Sequence, residues 1–129
     1  MTKCLVVDDS GVMRKLMARL LKDMKIDARE AENGAQAIEC CKAEMPELIL
    51  LDWNMPVLDG LGFLKQLRAM TGISQPKVVF CTTETDFSRI SEALSEGADE
   101  YIMKPFTGEM LESKLKIVGV IPPEFGMVN

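Results

Sequence analysis

The stretch Leu48-Ile49-Leu50-Leu51-Asp52-Trp53-Asn54-Met55-Pro56 decides the fold. Its four consecutive apolar residues break the in–out alternation of a half-exposed strand and suit a central parallel strand covered on both faces. The run stops at a carboxylate, and Pro56 keeps the residues around it out of helix. Downstream, Gly60 opens a helical stretch through Phe63, Leu64, Leu67 and Met70. Upstream, Asn33-Gly34 begins a helical stretch that reaches about Met45, before Pro46.

The same alternation fills the rest of the chain. Cys4-Leu5-Val6-Val7 is stopped by Asp8-Asp9-Ser10, and Val12, Met13, Leu16, Met17, Leu20, Leu21 and Met24 then recur at helical spacing. A weaker strand pattern covers about residues 26–31. Pro76 introduces Val78-Val79-Phe80-Cys81, which ends at Thr82-Thr83. A helix is expected from about Asp86 to Glu96, stopped by Gly97, a residue suited to the left-handed position that closes helices. Tyr101-Ile102-Met103 is a short strand ending at Lys104-Pro105, and a last helix runs from about Gly108 to Val118. Five strands alternating with five helices predict an α/β protein: a doubly wound five-stranded parallel sheet with helices on both faces. The expected arrangement is flavodoxin-like, (βα)5, with strand order 2-1-3-4-5. Residues 119–129 cannot extend the last helix past Pro122-Pro123. They read as a frayed end or, given Val120, Ile121, Phe125 and Met127, as a segment that docks on its own domain or on a partner.

Composition narrows the chemistry. At 129 residues the chain suits one domain, and 15 basic against 20 acidic residues give a net charge of −5. That balance speaks against a nucleic-acid partner, whose phosphates need a basic face, and 5% aromatics are too few for a base-stacking platform. Histidine is absent, which removes His-based acid–base catalysis, Ser-His and Cys-His nucleophile pairs and imidazole zinc sites. No apolar run approaches the ~18 residues of a membrane span, and the one at the N-terminus is too short for a signal peptide. Cys4, Cys40, Cys41 and Cys81 lack CxxC spacing and read as reduced thiols of a cytoplasmic protein.

The polar residues that stand out all close predicted strands: Asp8 and Asp9 the first, Asp52 the third, Thr82 the fourth, Lys104 the fifth. In a parallel sheet these ends share one edge, where ligands bind if the strand order reverses. Alone, each has a plainer role: Asp-Asp-Ser as a helix cap, Asp52 as a solvated strand end, Lys104 as a surface lysine. Together, three carboxylates side by side demand a counter-charge, and a hard divalent cation such as Mg2+ supplies one. With Lys104 and the Thr82 hydroxyl, the pocket suits a carboxylate nucleophile, Asp52, attacking phosphorus to give an aspartyl phosphate.

The segments Leu5-Val6-Val7-Asp8-Asp9-Ser10, Leu51-Asp52-Trp53-Asn54-Met55-Pro56, Thr82 and Tyr101-Ile102-Met103-Lys104-Pro105-Phe106 resemble the receiver domain of two-component response regulators. The resemblance covers about residues 3–118 and implies a receiver domain over 1–118, a short tail over 119–129 and no separate output domain. It makes Asp52 the phosphoacceptor. Asp9, Asp52 and the Asn54 carbonyl would ligate Mg2+, with Asp8 acting mainly through water. Lys104, the Thr82 hydroxyl and the Thr83 amide would hold phosphoryl oxygens, and Thr82 with Tyr101 would form the switch pair. It also implies a cis Lys104–Pro105 bond. Asn54 and Glu84, flanking the site, would favour a short-lived phosphoryl group, while Thr83 is bulkier than the alanine usual among chemotaxis-type members.

On this reading the chain is a single-domain response regulator of chemotaxis type, not an enzyme beyond its own phosphorylation and dephosphorylation. Its partners would be a sensor histidine kinase or histidine phosphotransfer protein and a downstream protein, a flagellar motor switch among the candidates. It could instead serve as a phosphorelay intermediate or phosphate sink. Three other readings fit less well, one of them a receiver-like scaffold that works without phosphorylation, against which the complete acid–Thr–Lys set speaks. An Mg2+-dependent aspartate-nucleophile phosphatase resembles a DxD pattern, but Asn54 stands at its second position. A flavodoxin-like electron carrier needs a phosphate loop where Asp8-Asp9-Ser10 would repel FMN.

Overall fold

The computed structural model describes residues 1–83 and 87–126. Strands β1 (Thr2–Val7), β2 (Ile26–Ala31), β3 (Leu48–Asp52), β4 (Lys77–Thr82) and β5 (Glu100–Met103) alternate with helices α1 (Gly11–Asp23), α2 (Gly34–Ala43), α3 (Gly60–Ala69), α4 (Phe87–Ser95) and α5 (Gly108–Ile117). All pairings are parallel, in the order β2-β1-β3-β4-β5. The fold is therefore the flavodoxin-like doubly wound sheet that the pattern predicts. The expected start of the fourth helix, Asp86, lies outside the described residues, as do Glu84 and Met127.

Period-two alternation sorts the strand side chains into two layers. Leu5, Val7, Ile49, Leu51, Val78 and Phe80 face α2, α3 and Ala93 of α4, while Cys4, Val6, Leu48, Leu50, Val79 and Cys81 face α1 and α5. This is why β1, β3 and β4 read as unbroken apolar runs: both of their faces are covered. Cap residues set where the helices begin. Ser10, Asn33, Asp59 and Thr107 each accept a backbone N–H of the first turn of α1, α2, α3 and α5. After α4, Gly97 adopts φ 113°, and its carbonyl accepts bonds from Arg68 Nε and Nη2 at 2.9 and 2.8 Å. All four cysteines are free thiols, and burial pushes Cys41 up to about 11 and Cys81 up to about 12, so neither is a thiolate at neutral pH.

The described part of the tail does not fray. Past α5 the Val120 N–H donates to the Leu115 carbonyl at 2.9 Å. Ile121 is buried in the α1/α5 layer, and Val120 and Phe125 pack against it. Of the two readings of residues 119–129, docking on the chain's own domain is the one observed for 119–126. Ile121→Ala is expected to lower unfolding stability by roughly 2 kcal/mol, the low end for a buried Ile→Ala change. A urea melt checks this, and an unchanged midpoint would mean that the tail contributes no packing.

Candidate functional site

Register builds the site. Val7 pairs with Leu51, so Asp8 and Asp52 leave the sheet side by side. Asp52 in turn pairs with Cys81, and Thr82 with Met103, which places Thr83 and Lys104 at the same edge. Asp8, Asp9, Ser10, Asp52, Asn54, Thr83 and Lys104 line one open cleft there; Thr82 is buried and lines a separate cavity beside Tyr101. In the order β2-β1-β3 the strand order reverses, the chain adding β2 on one side of β1 and β3 on the other, so the cleft sits where doubly wound sheets bind ligands.

Each acid is held differently. Asp8 is buried: Oδ1 accepts the Ser10 N–H at 2.9 Å and Oδ2 accepts from Lys104 Nζ at 2.7 Å. Its own carbonyl accepts from Arg14 Nη1 at 2.7 Å. Both carboxylate oxygens of Asp8 thus have a partner. Asp52 is half-buried, with Oδ1 accepting the Trp53 N–H at 2.9 Å and lying 3.5 Å from Lys104 Nζ. Asp9 and Asn54 are exposed at the mouth. Burial raises the Asp52 carboxyl above its ordinary range; Lys104 pulls it back, and Asp8 pushes it further up. For Lys104, burial alone would lower the ammonium, but the hydrogen bond to Asp8 and the field of Asp52 outweigh it and hold the lysine above its ordinary value.

Oxygens of Asp8, Asp9 and Asp52 lie within 4.8 Å of one another, the one such group of three among the described residues. Three carboxylates against the one ammonium of Lys104 leave a surplus of two negative charges when all are ionised. The donors are hard oxygens and the cleft is open to water, so a hard, partly hydrated divalent ion such as Mg2+ fits the set. The Lys104–Pro105 bond is cis, as the resemblance implies. Tyr101 is half-buried on β5, with Lys114 Nζ 4.7 Å from its ring centroid, and it lines a small apolar cavity together with Thr82.

The structure adds supporting contacts that the sequence did not assign to the site. Ser10 and Trp53 act through their main-chain N–H groups, and Arg14 through the Asp8 carbonyl. Gly60 backs the acceptor: a Cβ there would meet the Asp52 carbonyl oxygen at 2.2 Å, and its N–H donates to the Trp53 carbonyl at 2.9 Å. Asp59-Gly60, as a capping residue followed by glycine, was the available signal.

A parallel sheet with an acidic cluster, a strand-end threonine and a lysine before a cis proline at one switch-point edge defines a receiver-type site. The chain belongs to the response regulator receiver domain family, whose model matches residues 4–116. It is 38% identical over 118 residues to chemotaxis protein CheY1 of Helicobacter pylori, covering 90% of this chain and 95% of that one. It is 36% identical over 114 residues to chemotaxis protein CheY-3 of Vibrio cholerae, covering 88% of each. The solved structure of chemotaxis response regulator CheY4 of Vibrio cholerae superposes with a TM-score of 0.85 at 31% identity, over 92% of this chain and 98% of that one. CheY is itself a standing example of this strand order.

The electrostatics give a stability test. A carboxyl whose ionised form is disfavoured in the folded state favours folding while protonated, and that contribution is lost as pH rises through the raised value. Above that raised value, without divalent cations, ionised Asp52 therefore opposes folding. Asp52→Asn is expected to raise the thermal midpoint in EDTA, whereas Mg2+ raises the wild-type midpoint more than the variant's. Calorimetry in EDTA and in Mg2+ reads both. A destabilised variant in EDTA would contradict the assignment of the burial cost to Asp52.

Proposed function

We propose that this CheY-like receiver is a phosphorylation-switched signalling protein whose phosphoacceptor is Asp52. The observation that carries the reading is the placing of Lys104 Nζ between Asp8 and Asp52, at 2.7 and 3.5 Å, at the mouth shared with Asp9, Asn54 and Thr83. A carboxylate oxygen of Asp52 attacks the phosphorus of a phosphohistidine on a partner. The new P–O bond forms as the P–N bond breaks, and the imidazole leaves with the bonding pair. None of the 129 residues is a histidine, so the donor imidazole lies outside them. Lys104 neutralises one phosphoryl oxygen, and the Thr82 hydroxyl and Thr83 amide donate to others. Mg2+ held by Asp9, Asp52 and the Asn54 carbonyl, with Asp8 behind water, would supply charge neutralisation at the phosphoryl group.

On this reading the protein catalyses only its own phosphorylation and dephosphorylation. The new charge draws Thr82 toward the phosphoryl group and Tyr101 inward, and the surface of α4, β5 and α5 changes its affinity for a target. Donors are a sensor histidine kinase or a histidine phosphotransfer protein. The chemotaxis relatives make a flagellar motor switch a candidate target. No described helix is long and apolar enough to cross a membrane, and a cytoplasmic place alongside the donor suits the reading.

Trp53, the only tryptophan, adjoins Asp52 and reports the site. Mg2+ and then beryllofluoride are each expected to change its emission in the wild type. Asp52→Asn should weaken the Mg2+ response about tenfold or more in concentration and abolish the beryllofluoride response. A wild type silent to both ligands would overturn the proposal.

A further inference from the structure

Helix α4 is the most lightly seated of the helices. Ala93 is its single buried side chain among the described residues, whereas each of the other four helices buries two or more. Phe87 and Leu94 of α4 are both exposed. What α4 does have is Arg89, whose guanidinium carbon lies 4.7 Å from the centroid of the Trp53 ring. A guanidinium facing an indole at this distance is a directional attraction between a cation and the negative ring face. Trp53 is a firm partner: it is buried, its ring centroid is 5.2 Å from that of Phe80, and its main-chain N–H donates to Asp52 Oδ1. The contact therefore ties α4 to the residue next to the acceptor.

Arg89 also walls a second feature. With Ile90, Thr82 and Tyr101 it lines a cavity of about 10 Å3, space for about one water molecule and far too little for a phenol ring. The ring of Tyr101 instead lies beside Lys114 of α5. For Tyr101 to move toward Thr82, a wall of this cavity must yield, and α4 is the wall with least packing behind it. We propose that Arg89 is a positioning residue, a clasp on Trp53 that keeps α4 closed over the space between Thr82 and Tyr101 and so sets how readily the switch turns. The inference rests on the switch reading above and adds to it the residue that opposes the inward state.

Two unique aromatics make the test direct, since Tyr101 is the only tyrosine as Trp53 is the only tryptophan. The full chain labelled with 3-fluorotyrosine gives one fluorine resonance, recorded alone and with Mg2+ and beryllofluoride, for wild type, Arg89→Ala and Arg89→Lys. Hydrogen exchange of the α4 amides is followed in parallel. Without beryllofluoride, Arg89→Ala is expected to move the resonance part of the way to the wild-type beryllofluoride position. Its α4 amides should exchange roughly three- to thirtyfold faster, the factor a guanidinium–indole contact of this kind supports. Arg89→Lys, which keeps the charge but not the planar face, should fall between. If beryllofluoride moves the wild-type resonance while both variants match wild type in resonance and exchange, the clasp is overturned and the switch stands. If beryllofluoride leaves the wild-type resonance unmoved, the switch fails and the clasp with it.

Discussion

The ammonium of Lys104, 2.7 Å from Asp8 and 3.5 Å from Asp52, is the contact on which the rest of the site depends. Two charges about 4 Å apart interact by roughly 4 kcal/mol in the intermediate dielectric of a partly buried site. Attraction to that one lysine outweighs the push from Asp8 on Asp52 but not the cost of burying the carboxylate, and the Asp52 carboxyl is held above its ordinary range by that burial. The acids do not stay together through their own electrostatics. The register of β1 on β3 holds them, and the apolar side chains of those strands, each worth roughly 1.5–3 kcal/mol on burial, hold the register. Core packing supplies the work of assembling a cluster that would otherwise disperse.

Main-chain donors complete what the core begins. Ser10 N–H on Asp8 and Trp53 N–H on Asp52 fix one oxygen of each carboxylate, so the two groups are oriented before any ligand arrives. Ser10 serves twice, since its hydroxyl also accepts the Met13 N–H and starts α1. The same turn therefore sets the helix start and the direction of the Asp8 carboxylate. Preorganisation of this kind lowers the cost of placing charge where a phosphoryl group is proposed to form.

Periodicity made the frame legible in the sequence. Unbroken apolar runs ending in Asp8, Asp52 and Thr82 carry both the sheet type and the position of the site edge, because a strand covered on both faces tolerates polar residues only at its ends. The supporting contacts were not legible for a physical reason. Gly60 acts by lacking a side chain, Ser10 and Trp53 act through the backbone, and Arg14 reaches a carbonyl, so none of them leaves a polarity pattern. Arg89 was hidden differently. On an amphipathic helix it reads as a solvated charge, and only the tertiary placing of α4 over Trp53 makes it a partner. The tail was ambiguous because its apolar residues could serve the domain or a partner equally well, and only the burial of Ile121 separates the two.

The two flanks of the cleft differ in how firmly they are built. On the β1–α1 side, Asp8 is buried, bonded through both carboxylate oxygens and its carbonyl, and backed by Arg14, which Glu30 holds in turn at 3.1 Å. On the β4–α4–β5 side, α4 has a single buried side chain among the described residues, Arg89 of that helix lies over the Trp53 ring, and Tyr101 is only half-buried. A site that must bind charge with fixed geometry gains from the first construction, because displacement of an acid by a fraction of an ångström weakens every contact it makes. A surface proposed to change in response gains from the second, since a ligand can shift an equilibrium only by its differential affinity for the two states. If α4 were packed as deeply as α3, which buries four residues, the charge of one phosphoryl group would face a far larger packing cost before it could move the helix. The division of firmness across the cleft thus suits the proposed switch, in which charge placed at Asp52 is held by the firm side and displayed by the lighter one.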